Sequence, residues 1–132
     1  MTILVTGAAG LIGQSISRTL VAKGYEVVGL DNAPNAADVL TPLHVKHVHV
    51  DLTDIKTTLH VLDGVLEGTS LVGLVNNAAV MQHGETLAWQ EFEATLRVNL
   101  TAPYALSQHL FPKLSAAKGG YRQYRLNSRP HE

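Results

Sequence analysis

Eight residues near the start, "TGAAGLIG" from Thr6 to Gly13, constrain this chain more than any other stretch. They follow a short β-branched run, "TILVTG", and open "LIGQSISRTLVAKG", where Leu11, Ile12, Ile16, Leu20 and Val21 recur at helical spacing before Gly24. A strand that hands over to a helix through three glycines leaves each of them a mechanical task. Gly7 permits the tight turn, Gly10 lets the backbone approach a diphosphate, and Gly13 lets the helix pack close. The diphosphate would then meet the free N–H groups of the helix N-terminus, with Leu11 and Ile12 in its first turn. A glycine triplet alone is weak evidence, because an ordinary strand-to-helix turn has the same composition. The context strengthens it. "YEVVGLD" reads as a second strand closing on Asp31, eighteen residues after Gly13, where a carboxylate accepts hydrogen bonds from an adenosine ribose and repels a 2′-phosphate. NAD is therefore expected ahead of NADP, although Asp31 also has an ordinary reading as a solvated loop acid.

The remaining chain continues the alternation. "NAPNAADVLTP" reads as loop, and "HVKHVHVDLTD" as a third strand with Val48 and Val50 on one face and His47 and His49 on the other. "DIKTTLHVLDGVLEG" predicts a weak helix interrupted at Gly64, and "SLVGLVNNAAV" a buried fourth strand ending in Asn-rich turn chemistry. A long helical pattern runs from Thr86 to Ala117, with a kink expected at Pro103. Strands alternating with helices imply an α/β fold built on a parallel sheet with right-handed crossovers. At 132 residues and 45% hydrophobic, one domain with a core is expected. A net charge of −1 argues against nucleic acid or a membrane surface as a partner, and the absence of cysteine excludes disulfides and thiolate chemistry. The start lacks a basic segment leading into an apolar one, so a cytoplasmic protein is expected. His44, His47 and His49 have ligand-like spacing but no evident fourth ligand, so no metal is expected. Trp89 and Phe92 read as core or interface.

With these motifs in order, the chain resembles the short-chain dehydrogenase/reductase family from Thr2 to about Gly119. The resemblance implies a partial Rossmann-type, doubly wound parallel sheet of about four strands in the order 3-2-1-4. Thr6–Gly13 is similar to the family's glycine motif, with the spacing of its extended branch; the compact branch usually has Gly where Leu11 stands. "DLTD" resembles the segment whose first acid, here Asp51, contacts the adenine amino group, with the Leu52 backbone beside it. "NNAA" is similar to the family's Asn-Asn-Ala-Gly, which steadies the central sheet and lines the nicotinamide ribose through Asn77 and Ala78, with Ala79 in place of Gly. "RVNLTAP" resembles the segment whose Asn, here Asn99, belongs to the catalytic tetrad and anchors a proton-relay water. Asn76 and Asn77 also read as turn formers, and Asn99 as a cap at a helix irregularity. The implied activity is hydride transfer between a nicotinamide dinucleotide and a small alcohol or carbonyl compound. The alternative readings are a non-catalytic nucleotide-binding or regulatory module, and a fragment that pairs with itself or an intact homologue through the Thr86–Ala117 helix, a surface the resembled family often uses for dimers.

The family's Ser, and its Tyr and Lys spaced Y-x-x-x-K, have no counterpart in register. Tyr121 and Arg125 are four apart, but Arg does not usually replace that Lys. The composition also changes: residues 1–117 hold six Lys+Arg and ten Asp+Glu, whereas residues 118–132 hold four and one. A cofactor-binding unit over 1–118 and an irregular basic tail over 119–132 are expected. Regrouping the codons of "YRQYRLNSRP" by one base permits the strand G-I-V-N-I-A-S-I-A-G, of the kind the family places here. A one-nucleotide slip at the Gly119/Gly120 codons would produce such a tail; a divergent end is the other reading.

Overall fold

The computed structural model describes residues 1–81 and 88–117. Four strands, β1 (Thr2–Thr6), β2 (Glu26–Asp31), β3 (Val45–His49) and β4 (Leu71–Val75), form one parallel sheet in the order β3-β2-β1-β4. The helices are α1 (Leu11–Ala22), α2 (Ala36–Leu40), α3 (Ile55–Val65), α4 (Trp89–Leu96) and α5 (Ala102–Ala116). The strand period of two sends alternate residues into two separate cores. Ile3 and Val5 of β1 join Val27, Leu40 and Val45 in one cluster, with α1 residues Ile16, Leu20 and Val21 packed against it. Leu4 points the other way, into a cluster with Val28, Leu30, Leu62, Leu66 and Leu106 that α3 and α5 cover. This is why β1 reads as an unbroken apolar run: all five of its residues are buried, from both faces.

Four local expectations are corrected. The segment expected as loop after Asp31 contains α2 and a 3₁₀ turn, Thr41–Leu43. Ala36 and Leu40, one helical turn apart, are both fully buried, and that single apolar stripe suffices to dock a short helix. Gly64 itself stays helical, with Leu62 and the C-cap Leu66 on either side of it fully buried, and α3 ends one residue later at Val65. Asp54 caps this helix, accepting from the Thr57 N–H and hydroxyl. The Thr57 hydroxyl and N–H bonds hold the Asp54 carboxyl below its usual pKa, so the cap contributes above the ordinary Asp range and is lost as acid protonates it. The long helix expected from Thr86 is α4 and α5 joined by a π-type turn, Arg97–Thr101; residues 86–87 lie outside the described residues. The irregularity lies one turn before Pro103, because the Asn99 carbonyl, four residues back, is the group that loses its α-helical donor. Leu11 and Ile12 do not join the core. They are 88% and 69% exposed, while Gly13 and Ser17 are the buried residues of α1.

On α5, His109 reaches Asp63 of α3 at 2.6 Å and Lys113 donates to the Leu66 carbonyl at 3.0 Å, so α3 and α5 are tied as a pair. At the other edge, β4 pairs only with β1 among the described strands. Its sequence carries no charge or Pro to discourage a further strand, although its register with β1 shifts by one residue at Val72. Among the described residues no helix is long and apolar enough to cross a membrane.

The ends of β1 and β4 are fastened through two side chains. The Thr6 hydroxyl accepts from the Asn77 N–H at 3.0 Å and the Ala78 N–H at 2.9 Å, and Asn77 Nδ2 donates to the Thr6 and Gly7 carbonyls, both at 3.1 Å. Thr6→Val keeps the shape and removes the acceptor, leaving the Ala78 N–H unpaired and the Asn77 N–H with the Val75 carbonyl alone. It is expected to cost about 1–3 kcal/mol in urea unfolding, whereas Thr6→Ser stays near wild type. Two glycines are expected to respond in opposite directions. A Cβ at Gly13 would collide with the Gly7 carbonyl and stand 2.8 Å from Ala8 Cα, whereas one at Gly64 meets nothing within 4 Å. Gly13→Ala should therefore destabilise by about 1–3 kcal/mol, and Gly64→Ala should stabilise by roughly 0.5–1 kcal/mol.

Candidate functional site

A cleft of ≈ 760 Å³ opens where β1, β2 and β4 end and where β3 runs on through Val50 to Asp51. All eleven residues predicted to contact a cofactor line it. Gly7, Gly10, Leu11, Ile12 and Gly13 form its floor and one lip. Asp31, Asp51 and Leu52 lie toward β2 and β3, and Asn77, Ala78 and Ala79 follow β4.

The floor is shaped by Gly7, whose φ of +63° is a left-handed conformation that side chains rarely adopt. A Cβ there would also stand 2.8 Å from Ala78 Cα, so Gly7 allows the turn after β1 and the segment after β4 to touch. At Gly10 the only atom near a would-be Cβ is the Gly7 carbonyl at 3.5 Å, which leaves open space above the turn. Helix α1 begins immediately afterward with no side-chain cap. The N–H groups of Leu11, Ile12 and Gly13, the first three of the helix, have no partner among the described residues. They are oriented donors for an anion, reinforced by the helix dipole.

Asp31 stands beside this turn. Its carboxylate accepts the Ala9 N–H on one oxygen and the Ala33 N–H on the other, both at 2.9 Å, leaving further lone pairs on each. Asp51 makes a local turn in which one carboxylate oxygen accepts from the Thr53 N–H and hydroxyl. Its second oxygen has no hydrogen-bond partner among the described residues. Among the described residues these two carboxylates are the charged side chains of the cleft lining, which includes no Lys or Arg from them. Leu52 is half-buried against the α3–α5 core.

The wall after β4 is built by Asn77 through the Thr6 junction and by Asn99. The Asn99 side chain is exposed and does not itself line the cleft. Its amide accepts the Val80 N–H and donates to the Val80 carbonyl, each at 2.8 Å, as a neighbouring strand would. Val80 does line the cleft, so Asn99 acts on the site through the backbone it grips. Asn76 points elsewhere, toward the Ser107 hydroxyl at 3.3 Å.

Sequence reasoning missed several lining residues: Ala9, Asn32, Ala33, Thr53, Val80, Ala94 and Val98. Most are small or apolar and carry no chemical signature. Ala94 and Val98 arrive from α4 and the π-type turn, a placement that only the tertiary fold makes. In the His cluster, His47 Nε2 lies 3.1 Å from the Asp31 carbonyl, and His47 and His49 meet edge to face at 6.2 Å. No group of three or more potential metal ligands is found among the described residues. Trp89 and Phe92 are exposed, with ring centroids 5.7 Å apart, so they are not core. Tyr121 and Arg125 lie outside the described residues.

Comparison with known proteins agrees with this geometry. A family model for short chain dehydrogenases matches residues 1–121. The short-chain dehydrogenase/reductase cdmF of Talaromyces verruculosus is 32% identical over 123 residues, covering 89% of this chain and 48% of that protein. The uncharacterized oxidoreductase YmfI of Bacillus subtilis is 32% identical over 127 residues, covering 90% and 52%. A metagenomic short-chain oxidoreductase solved in complex with NADP matches with a TM-score of 0.80 at 29% identity, covering 88% of this chain and 56% of that one. The chain thus spans about half the length of the curated relatives it matches. Four parallel strands in the order 3-2-1-4, the glycine turn at the end of the first and the matched family model together establish that the chain belongs to the short-chain dehydrogenase family.

Proposed function

We propose that these residues bind a nicotinamide dinucleotide, NAD in preference to NADP, as the cofactor half of an oxidoreductase that moves hydride between the nicotinamide and an alcohol or carbonyl compound. One observation carries the reading. A helix N-terminus with three unpartnered N–H groups and a strand-end carboxylate share one cleft and are joined through Ala9. A dinucleotide has the matching chemistry in the matching order, a diphosphate for the N–H groups and a ribose diol for the carboxylate. Asp51 is then placed for the adenine amino group, and Asn77, Ala78 and Ala79 for the nicotinamide ribose. Asn99 holds the wall beside them. Among the described residues the cleft sets two carboxylates and no lysine or arginine around the ligand, so a 2′-phosphate would meet like charge there.

The cofactor unit in this reading is residues 1–118, followed by a basic tail. Because the proton-transferring Tyr, its Lys partner and the Ser have no counterpart in register, the 132 residues bind the cofactor without completing the reaction. A second reading, of a module that pairs with an intact homologue, draws on the single-sided pairing of β4 and on the exposed Trp89, Leu100 and Tyr104 of the α4–α5 region. Light scattering separates the two: a monomer that binds NAD fits the first reading alone, and a stable mixed dimer with a full-length homologue supports the second.

Calorimetric titration should show NAD binding and NADP weaker by about tenfold or more, a difference of ~1.4 kcal/mol. Asp31→Ala should weaken NAD by roughly 1.5–3 kcal/mol and narrow the preference. A wild type that prefers NADP would overturn the assignment of Asp31. Loss of a proton-transfer group costs on the order of 10²–10⁴-fold in rate, so the chain should show no turnover above blank on a panel of secondary alcohols and ketones. Turnover that disappears in Tyr121→Phe would overturn the absence of a catalytic tyrosine.

A further inference from the structure

We propose that Gln14, which does not line the cleft, is a positioning residue for nucleotide binding, acting with Asp31 to hold the Ala9 peptide from both ends. The proposal rests on the nucleotide reading above. Ala9 sits in the turn between Gly7 and Gly10. Its N–H donates to Asp31 at 2.9 Å, and its carbonyl accepts from Gln14 Nε2 at 2.7 Å. The neighbouring N–H groups are also committed: Ala8 to the Leu30 carbonyl at 3.2 Å, Gly10 to the Gly7 carbonyl at 3.2 Å, and Gln14 to the Gly10 carbonyl at 2.8 Å.

Two consequences follow from this arrangement. First, the donors from Ala8 to Gly10 are all used internally, so a diphosphate is left with those of Leu11, Ile12 and Gly13. The turn that presents them is ordered before any ligand arrives, and the ligand does not have to offset the entropy of fixing it. Apart from Asn77 Nδ2, which donates to the Gly7 carbonyl at 3.1 Å, the remaining bonds of the turn are backbone to backbone; Gln14 and Asp31 are the two side chains that hold Ala9. Second, ribose recognition is coupled to diphosphate recognition. Asp31 gives one oxygen to Ala9 and the other to Ala33. A ligand group that pushes the carboxylate aside strands the Ala9 N–H and loosens the turn, so rejection of a 2′-phosphate includes the loss of this clamp as well as charge repulsion.

The test compares wild type with Gln14→Met, which keeps the length and loses the donor, Gln14→Glu, whose carboxylate cannot donate to a carbonyl, and Asp31→Ala. Hydrogen exchange of the Ala9 amide is followed by NMR in the unliganded protein, affinities for NAD and NADP by calorimetry, and folding by urea midpoint. Both Gln14 variants should exchange Ala9 faster and bind NAD about 3–10-fold more weakly, with the NAD to NADP ratio unchanged. Asp31→Ala should speed exchange and shift that ratio. Unchanged exchange in Gln14→Met, unchanged NAD affinity, or an affinity loss that merely follows the urea midpoint would overturn the proposal. If wild type binds no NAD, the cofactor reading falls, and the exchange comparison alone decides the clamp: faster exchange in the variants upholds it, equal exchange overturns it.

Discussion

The junction between the ends of β1 and β4 is the constraint on which the rest of the structure depends. Five hydrogen bonds, all through the side chains of Thr6 and Asn77, bring two strands that are remote in sequence to a common level. The approach is close enough that a side chain at Gly7 would run into Ala78. Sheet pairing alone would align the strands but leave their exits free. With the exits tied, the glycine turn and the Asn77–Val80 segment become two walls of one cleft. Thr6 is 2% exposed, so its hydroxyl has no water to fall back on.

The second wall-to-wall link runs through Asp31. The sequence suggests this residue as a ligand group or a solvated loop acid, but in the fold it first serves the backbone, accepting one N–H from the glycine turn and one from the loop after β2. A carboxylate has enough lone pairs to do this and still receive a ribose diol. The division of labour along the cleft then follows from charge. Backbone dipoles supply the positive character at the start of α1, and Asp31 and Asp51 supply the negative character toward β2 and β3, with no cationic side chain in the lining among the described residues. Asn99 illustrates a different economy. Both ends of its amide are engaged with Val80, and the π-type turn that carries it exists because Pro103 lacks the N–H that a regular helix would need.

The sequence by itself determined the alternation of strands and helices, the helix-opening glycine turn and the acid ending the second strand. Each of these is written in nearest-neighbour chemistry: β-branched runs, a 3.6-residue period, and a residue whose φ only glycine adopts easily. The tertiary structure decided the rest, for reasons that local pattern cannot carry. Leu11 and Ile12 have the periodicity of core residues, yet they face the cleft, because a stripe of apolar residues does not say which turn of a helix outruns the sheet beneath it. Ala36 and Leu40 make a helix out of a stretch with loop composition, since burial against β2 and β3 outweighs propensity. Gly64 likewise stays helical, with Leu62 and the C-cap Leu66 buried on either side, and α3 ends one residue later at Val65. Gly29, unremarkable as a strand residue, turns out to be needed where a Cβ would sit 2.7 Å from that of Ala8. The bonds that complete the site, Thr6 to Asn77 and Asn99 to Val80, join residues 71 and 19 positions apart. Each of these side chains could have satisfied itself locally, and only the packed sheet places its partner within reach.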